Sequence, residues 1–448
     1  MPIRILVEPG TYNCLNLGDV AMLQVAVSRL ARLIPSATLQ VITDTPDRLA
    51  RYCPNAIPVS ASALRIWFED DLLLGRFERL FPAYGVSYAP KVKPYIRRRW
   101  PRLLEAALHC TRPLDARPGE LPRFLDALDS ADCVIVCGQG FLTDHVGKHA
   151  LATLNLLAAA KAKRIPYFLL GQGIGPLTDK TIIGRSRTVL PDAKLVSLRE
   201  QLAGVPFCRS IQVPREKCLV TGDEAVELAY RRQYATRGKG LGINVRLSPS
   251  SGLTENVLPM LAAVLNRFAR TRQLEYVPLP IARDHKLRDV QSIRILLSLT
   301  GCESDGGVYL ETPEAIISEA SRCRVVLTGA YHAAVFALSQ GVPAVCIAKS
   351  NYFRVKFEGL ADQFGTGCTV ISLDEANASG AIFEALVRAW DGAPWQAETL
   401  RRAAVVQILK SYRVYNRLGR FLRSKFPEDG INALEYPMDN RGACVCAR

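Results

Sequence analysis

A chain of 448 residues exceeds the ~250–300 at which one hydrophobic core stops growing, so two domains are expected. Its 49% hydrophobic and 22% charged composition is that of a soluble globular protein, and no run reaches the ~20 apolar residues of a membrane-spanning helix. The formal charge of +15 is concentrated in Lys91–Arg102 and Arg401–Lys425, which suits an anionic substrate, an anionic membrane surface or nucleic acid, a solvated helix face being the alternative for each block.

In chain order, "IRILVE" opens as a strand, and the N-terminus shows no n-region, h-region or cleavage site, so the protein is expected in the cytosol. A loop with Pro9 and Gly10 leads into "NLGDVAMLQVAVSRL" (16–30), whose apolar residues recur at helical spacing. "LQVIT" is the next strand. From about 60 to 122 an Arg-, Pro- and aromatic-rich stretch reads as a basic insertion. "DCVIVCG", "PYFLLG", "KLVSLR" and "KCLVTG" follow as strands, and the polar, basic "YRRQYATRGKG" (230–240) marks a boundary. A second series, "LGINVRL", "LEYVPL", "RVVLTG" and "PAVCIA", alternates with the helical "VLPMLAAVLNRFAR" and "AAVFALSQ".

Continuously apolar strands belong to parallel sheets covered on both faces. The expectation is an α/β protein of two doubly wound Rossmann-like domains, 1–232 and 238–390, facing a cleft, with a basic helix at 395–426 and a flexible tail at 427–448. The thirteen cysteines are scattered; the closest pairs, Cys133/Cys137 and Cys444/Cys446, have no second pair at zinc-site spacing, so buried reduced thiols are expected.

Ligands of open parallel sheets bind at the carboxyl ends of the strands, which makes the residues after each strand the candidates. "GQGFLTDH" brings Gln139, and "GQGIGPL" brings Gln172 and Gly173. Such glycine turns let backbone N–H groups approach a ligand, but neither completes a dinucleotide fingerprint, and a tight turn without ligand fits them equally. Arg199 and Glu200 end one strand, Asp223 follows another, and Arg246 ends "GINVR". A guanidinium at a buried strand end calls for an anion; an internal pair of Arg199 with Glu200 or Asp223 is the alternative.

In "VVLTGAYHAAVFALSQGVPAVCIAKS" Gly329 turns the chain, a helix opens near Tyr331, and His332 falls on its first turn. Free helix-terminal N–H groups there favour an anion and disfavour protonation of the imidazole until a bound dianion reverses the effect. That makes His332 a candidate general acid. Asp19 stands at the mouth of the first strand–loop–helix unit, either to meet an alcohol or to cap a helix beginning near Val20. His109, His145, His149 and His285 have weaker settings, although His145 follows the first glycine turn.

Taken in order, "NLGDVAMLQVAV", "GQGIGPL", "SLRE", "TGDEAVEL" and "TGAYHAAVFALSQGVPAV" resemble the polysaccharide pyruvyl transferase family over roughly Ile3 to Gly367. The resemblance implies a GT-B-like fold with residues 1–232 on the acceptor side and 238–390 on the donor side. It implies transfer of a pyruvyl group from phosphoenolpyruvate to hydroxyls of a cell-surface or lipid-linked saccharide, with release of phosphate and without metal or organic cofactor. Arg199, in "SLR", would hold the donor and His332 would act on it. Many family members carry arginine two positions before this histidine, where Ala330 stands here, so Arg246 or Lys349 is the expected replacement charge, unless another donor is used. The site expected is catalytic His332 and Asp19, with Asn16, Gly18, Gln139, Gln172, Gly173, Arg199, Asp223, Arg246, Gly329, Tyr331 and Lys349 about the substrate. The alternatives are a glycosyltransferase using a nucleotide-sugar, with Glu358 on the ribose, and a non-catalytic saccharide-binding member. Nucleic acid is not expected, because the basic blocks lack a base-stacking aromatic pattern; loose docking on an anionic inner membrane leaflet through 91–102 and the C-terminal basic helix is.

Overall fold

Strands buried on both faces pair in parallel when helices return the chain over the sheet. In a computed structural model, which describes residues 2–68, 119–232, 238–270, 272, 274–284 and 289–436, this happens twice. The first sheet contains β1 (Arg4–Glu8), β2 (Thr38–Thr43), β3 (Ile57–Ser60), β4 (Cys133–Val136), β5 (Tyr167–Gln172), β6 (Leu195–Leu198) and β7 (Cys218–Val220), in the order β3-β2-β1-β4-β5-β6-β7. The second contains β8 (Gly240–Asn244), β9 (Tyr276–Pro278), β10 (Cys323–Thr328), β11 (Ala344–Ala348) and β12 (Cys368–Ser372), in the order β12-β11-β10-β8-β9. All pairings are parallel, with Val7 opposite Ile135 between β1 and β4 and Leu327 opposite Ile243 between β10 and β8. Strand order reverses at those two pairs, which are the switch points where α/β sheets bind ligands.

The sequence reading lacks β3 and β12. Both are edge strands that leave several residues part-exposed, so neither writes a continuous apolar run. The basic stretch Lys91–Arg102, His109, His285 and Cys444/Cys446 lie outside the described residues, as do most of the insertion, residues 233–237 of the boundary and 437–448 of the tail.

Three helices set the geometry of the centre. The helix Leu17–Leu33 is capped by Asn16, whose side chain accepts from the Gly18 N–H at 3.1 Å. It therefore starts before Val20, and Asp19 is inside its first turn rather than at its cap. The helix Tyr331–Ser339 is buried at every residue, as an element apolar all round must be. The C-terminal helix is one element from Ala378 to Lys425 with Pro394 inside it, so the expected break between 390 and 395 falls in mid-helix.

That long helix leaves the second sheet and returns to the first. Arg29, fully buried, donates through Nε to Glu227 (2.8 Å) and through Nη1 to Ser411 (2.5 Å), while the Tyr412 and Tyr415 hydroxyls donate to Glu227 (3.0 Å) and Glu224 (2.5 Å). The described part of the expected loose tail is docked as well: the Asn432 N–H donates to the Leu33 carbonyl at 2.7 Å, and the Leu434 N–H to Asn416 at 2.7 Å.

Candidate functional site

The two switch points face each other across a cavity of about 230 Å³. Gly10 and Thr11 follow β1, Gln139 to Phe141 follow β4, and Arg199 follows β6; Asn16 and Asp19 start the first helix. The second sheet supplies Arg246 after β8, Tyr331 and His332 after β10, and Tyr352, Phe353 and Lys356 after β11. Backbone bonds join the halves at the rim, Leu17 N–H to the Ile281 carbonyl (2.9 Å) and Arg283 N–H to the Leu15 carbonyl (2.8 Å). The Tyr352 hydroxyl donates across to the Gly140 carbonyl at 3.2 Å.

Arg199 is 3% exposed and lies against the Tyr331 ring, 4.3 Å from its centroid. Its Nη1 is 3.7 Å from Asp223 Oδ2, and the same oxygen is 3.7 Å from His332 Nε2. One carboxylate thus backs both the arginine and the histidine. Burial works to raise the Asp223 carboxyl, but His332 and Arg199 outweigh it and hold the group below the usual carboxylate range. The Asp223 side chain is fully buried and outside the cavity lining, so it stands behind Arg199, as the internal pair weighed in the sequence, and not among the residues about the substrate.

Two expected ligand-turn glycines have a steric role instead. A Cβ on Gly18 would fall 2.0 Å from the His332 ring, and one on Gly173 would fall 2.5 Å from the Arg199 guanidinium. The glycines are the space those two side chains occupy. Gly329, packed against the Arg246 backbone, and Gln172 are likewise outside the lining. Gln172 donates through Nε2 to the carbonyls of Val136, Cys137 and Leu170 and so ties β4 to β5. Gln139, Asn16, Tyr331 and Arg246 do line the cavity.

Neither residue expected to stand in for a charge at Ala330 is an unpaired cation of the cavity. Lys349 is exposed beside Gly252, outside the cavity. Arg246 is neutralised by Asp289, to which Nε and Nη2 donate at 2.6 and 2.8 Å. The remaining basic group of the lining is Lys356, part-buried on the second turn of the helix Asn351–Phe364. Its Nζ donates to the Tyr352 hydroxyl at 2.8 Å and pairs with no carboxylate among the described residues. Burial first, and Arg199 next, push this amine well below the ordinary lysine range.

On the first-domain wall, Asp19 accepts from the Thr11 hydroxyl at 2.6 Å. Beside it is His149, which the sequence ranked low: its ring lines the cavity, with Nε2 3.5 Å from Glu8 Oε1 and Tyr12 and Phe141 packed around it at centroid distances of 5.0 and 5.5 Å. Burial, helped by Arg65, depresses His149 to about 4, so the ring is neutral near pH 7. Glu8 is fully buried and also accepts from the Tyr12 hydroxyl and the Gly10 N–H. His145 is exposed and meets the Tyr352 ring at a tilt of 49°, 4.6 Å between centroids, outside the lining. Glu358 is a surface residue paired with Arg354 at 3.0 Å, away from the cavity. Lys356, Tyr352 and Asp289 are thus the residues the sequence reading missed, and His149 one that it ranked low. A Tyr-x-x-x-Lys spacing on the helix after β11 was the one available signal, since it stacks Tyr352 and Lys356 on one face.

The arrangement can hold a small anion between Arg199 and Lys356, move a proton at His332, and offer Asp19 and neutral His149 to hydroxyl groups. A family profile described as polysaccharide pyruvyl transferase matches residues 16–351. No curated protein matches the chain. Among solved structures, a UDP-GlcNAc 2-epimerase from Neisseria meningitidis bound to UDP-GlcNAc is similar at TM-score 0.51 and 11% identity, covering 92% of this chain and 99% of the other. A putative UDP-N-acetylglucosamine 2-epimerase from Listeria monocytogenes gives TM-score 0.53 and 12% identity over 97% and 100%. MnaA of S. aureus with UDP gives 0.53 and 13% over 94% and 97%. Likeness at this identity is one of fold, the two Rossmann-like domains of GT-B proteins.

Proposed function

The chain belongs to the polysaccharide pyruvyl transferase family, and from that premise and the geometry of the cavity we propose that it transfers the pyruvyl group of phosphoenolpyruvate to two hydroxyls of a polysaccharide or lipid-linked saccharide, closing a ketal. The observation that carries this reading is that the cavity sets a buried arginine, Arg199, beside a part-buried lysine, Lys356, the second without a carboxylate partner among the described residues. Burying such a charge is costly unless an anion meets it. The cavity of about 230 Å³ is below the ~300–1,000 Å³ of pockets for drug-sized ligands, which favours a three-carbon donor over a nucleotide-sugar.

In this mechanism the donor's carboxylate and phosphate lie against Arg199 and Lys356. His332, with Asp223 as its counter-ion, gives a proton to the methylene carbon, and C2 becomes oxocarbenium-like. A sugar hydroxyl adds to C2 and passes its proton to Asp19 or to the Glu8-backed His149. A second hydroxyl adds to the same carbon as the C–O bond to phosphate breaks. The two hydroxyl protons balance the one placed on the methyl group and the one leaving on hydrogenphosphate. Burial pushes up both the Tyr331 and the Tyr352 hydroxyls (Tyr352 to about 12), so both stay protonated; Tyr331 serves as a donor, while Tyr352 keeps its proton on the Gly140 carbonyl and orients Lys356.

The test is thermal melting with phosphoenolpyruvate or UDP-GlcNAc, followed by phosphate release in the presence of saccharide acceptors. Phosphoenolpyruvate is expected to raise Tm for wild type and for His332→Asn alike, while His332→Asn loses about 10²-fold or more in phosphate release. Protection by UDP-GlcNAc alone sinks the reading; equal rates for the two proteins remove His332 from the chemistry.

A further inference from the structure

The long helix Ala378–Lys425 buries one face against both domains through Leu400, Ala404, Ile408, Tyr415, Leu418 and Leu422. Its opposite face has a composition the cavity does not explain. From Thr399 to Pro427 the sequence contains no Asp or Glu. At ~100° per residue, Trp395, Val406, Lys410, Arg413, Arg417 and Arg420 fall within an arc of ~80°, along ~38 Å of helix. Trp395 is 83% exposed and Val406 49% exposed, and Lys410, Arg413 and Arg420 are exposed. Arg417 is part-exposed and donates to the Glu216 carbonyl at 2.6 Å. Arg402 shares the stripe, but Glu398 neutralises it. At the C-terminal end, Lys194 and Lys425 flank the Phe421 ring at 5.7 and 5.8 Å and widen the positive surface.

An ordinary solvated helix face mixes charges of both sign and has no need of an exposed indole. Basic side chains in line with a tryptophan and an aliphatic residue are what an interfacial helix presents to lipid: the indole sits at headgroup depth while Lys and Arg meet phosphates. Nucleic acid would call for aromatics interleaved with the cations in a groove, whereas this surface is a convex rod with its one stripe aromatic at the end. No helix among the described residues is long and apolar enough to cross a membrane, so contact would be along the surface. We propose that this face of the C-terminal helix docks the protein on an anionic lipid bilayer, with Trp395 and Val406 at the interface and Lys410, Arg413, Arg417 and Arg420 against the headgroups.

Flotation of the full chain with phosphatidylcholine vesicles, with or without phosphatidylglycerol, tests this. Binding is expected to be at least about tenfold stronger with phosphatidylglycerol and to weaken as salt is raised. The triple variant K410E/R413E/R420E is expected to lose at least that factor. Trp395→Ser, at a solvated position, is expected to lose about threefold or more and to remove a lipid-induced blue shift of the emission; it decides the matter if the triple variant fails to fold. Binding indifferent to phosphatidylglycerol, variants that float like wild type, or retention by a single-stranded oligonucleotide without vesicle binding would each overturn the proposal.

Discussion

The carboxyl ends of β6 and β8 both carry a buried arginine, and the two are used in opposite ways. Arg246 is gripped by Asp289, which also accepts from Asn244 and from the N–H groups of Ile281 and Ala282, each at 2.9 Å. Its charge is spent inside the fold. Among the described residues the one carboxylate paired with Arg199 is Asp223, at 3.7 Å, and it is shared with His332. The difference teaches that a buried strand-end arginine is not in itself an anion site; what matters is whether the fold has already closed its donors.

The comparison can be broken from either side. Asp289→Ala is expected to cost about 3–5 kcal/mol of stability in urea unfolding, because it strands a buried guanidinium and two backbone donors. Arg199→Ala should do the reverse: phosphoenolpyruvate affinity falls about 100-fold, or ~2.7 kcal/mol, while the stability loss stays below half that of Asp289→Ala. Gly18→Ala sharpens the contrast by displacing His332 from Asp223 without touching either arginine. Overpacking of about 1–3 kcal/mol and a phosphate-release rate lowered about tenfold or more are expected from melting and turnover measurements.

The smallest effect concerns Lys356. Its folded-state pKa is depressed by burial and by Arg199, so below the unfolded lysine value (~10.4) the unfolded chain binds a proton that the folded chain resists. The penalty grows as pH falls from there towards the depressed folded value, and is absent above the unfolded one. Lys356→Met is therefore expected to stabilise the protein by about 1 kcal/mol near pH 7, with the gain vanishing in strongly alkaline solution, while weakening donor binding. Denaturant midpoints across pH read the sign directly.

Much of this was legible in the sequence. Central strands buried on both faces announced themselves as apolar runs, and the rule that ligands gather after such strands led to Arg199, His332, Asp19 and Gln139, all of which line one cavity. Partnerships were less legible: the pair of Arg199 with Asp223 was weighed as an alternative and is present at 3.7 Å, but others left no trace. Nothing in "RDVQ" tells that Asp289 reaches Arg246. Lys349 and Lys356 both follow β11, and only the face on which the helix Asn351–Phe364 packs decides that Lys356 is the amine of the cavity. His149 joins the cavity because the helix Gly147–Ala162 sets its ring between Tyr12 and Phe141. Asn16 and Asp19 both suit a cap, and the chain's entry angle selects Asn16.

The central claim is that Arg199 and Lys356 together await a small anion, and titration calorimetry with phosphoenolpyruvate in two buffers of different ionisation enthalpy tests it most directly. The account predicts binding coupled to proton uptake in wild type, loss of the uptake in Lys356→Met, and loss of binding in Arg199→Ala. Binding that is unchanged in both variants would contradict it.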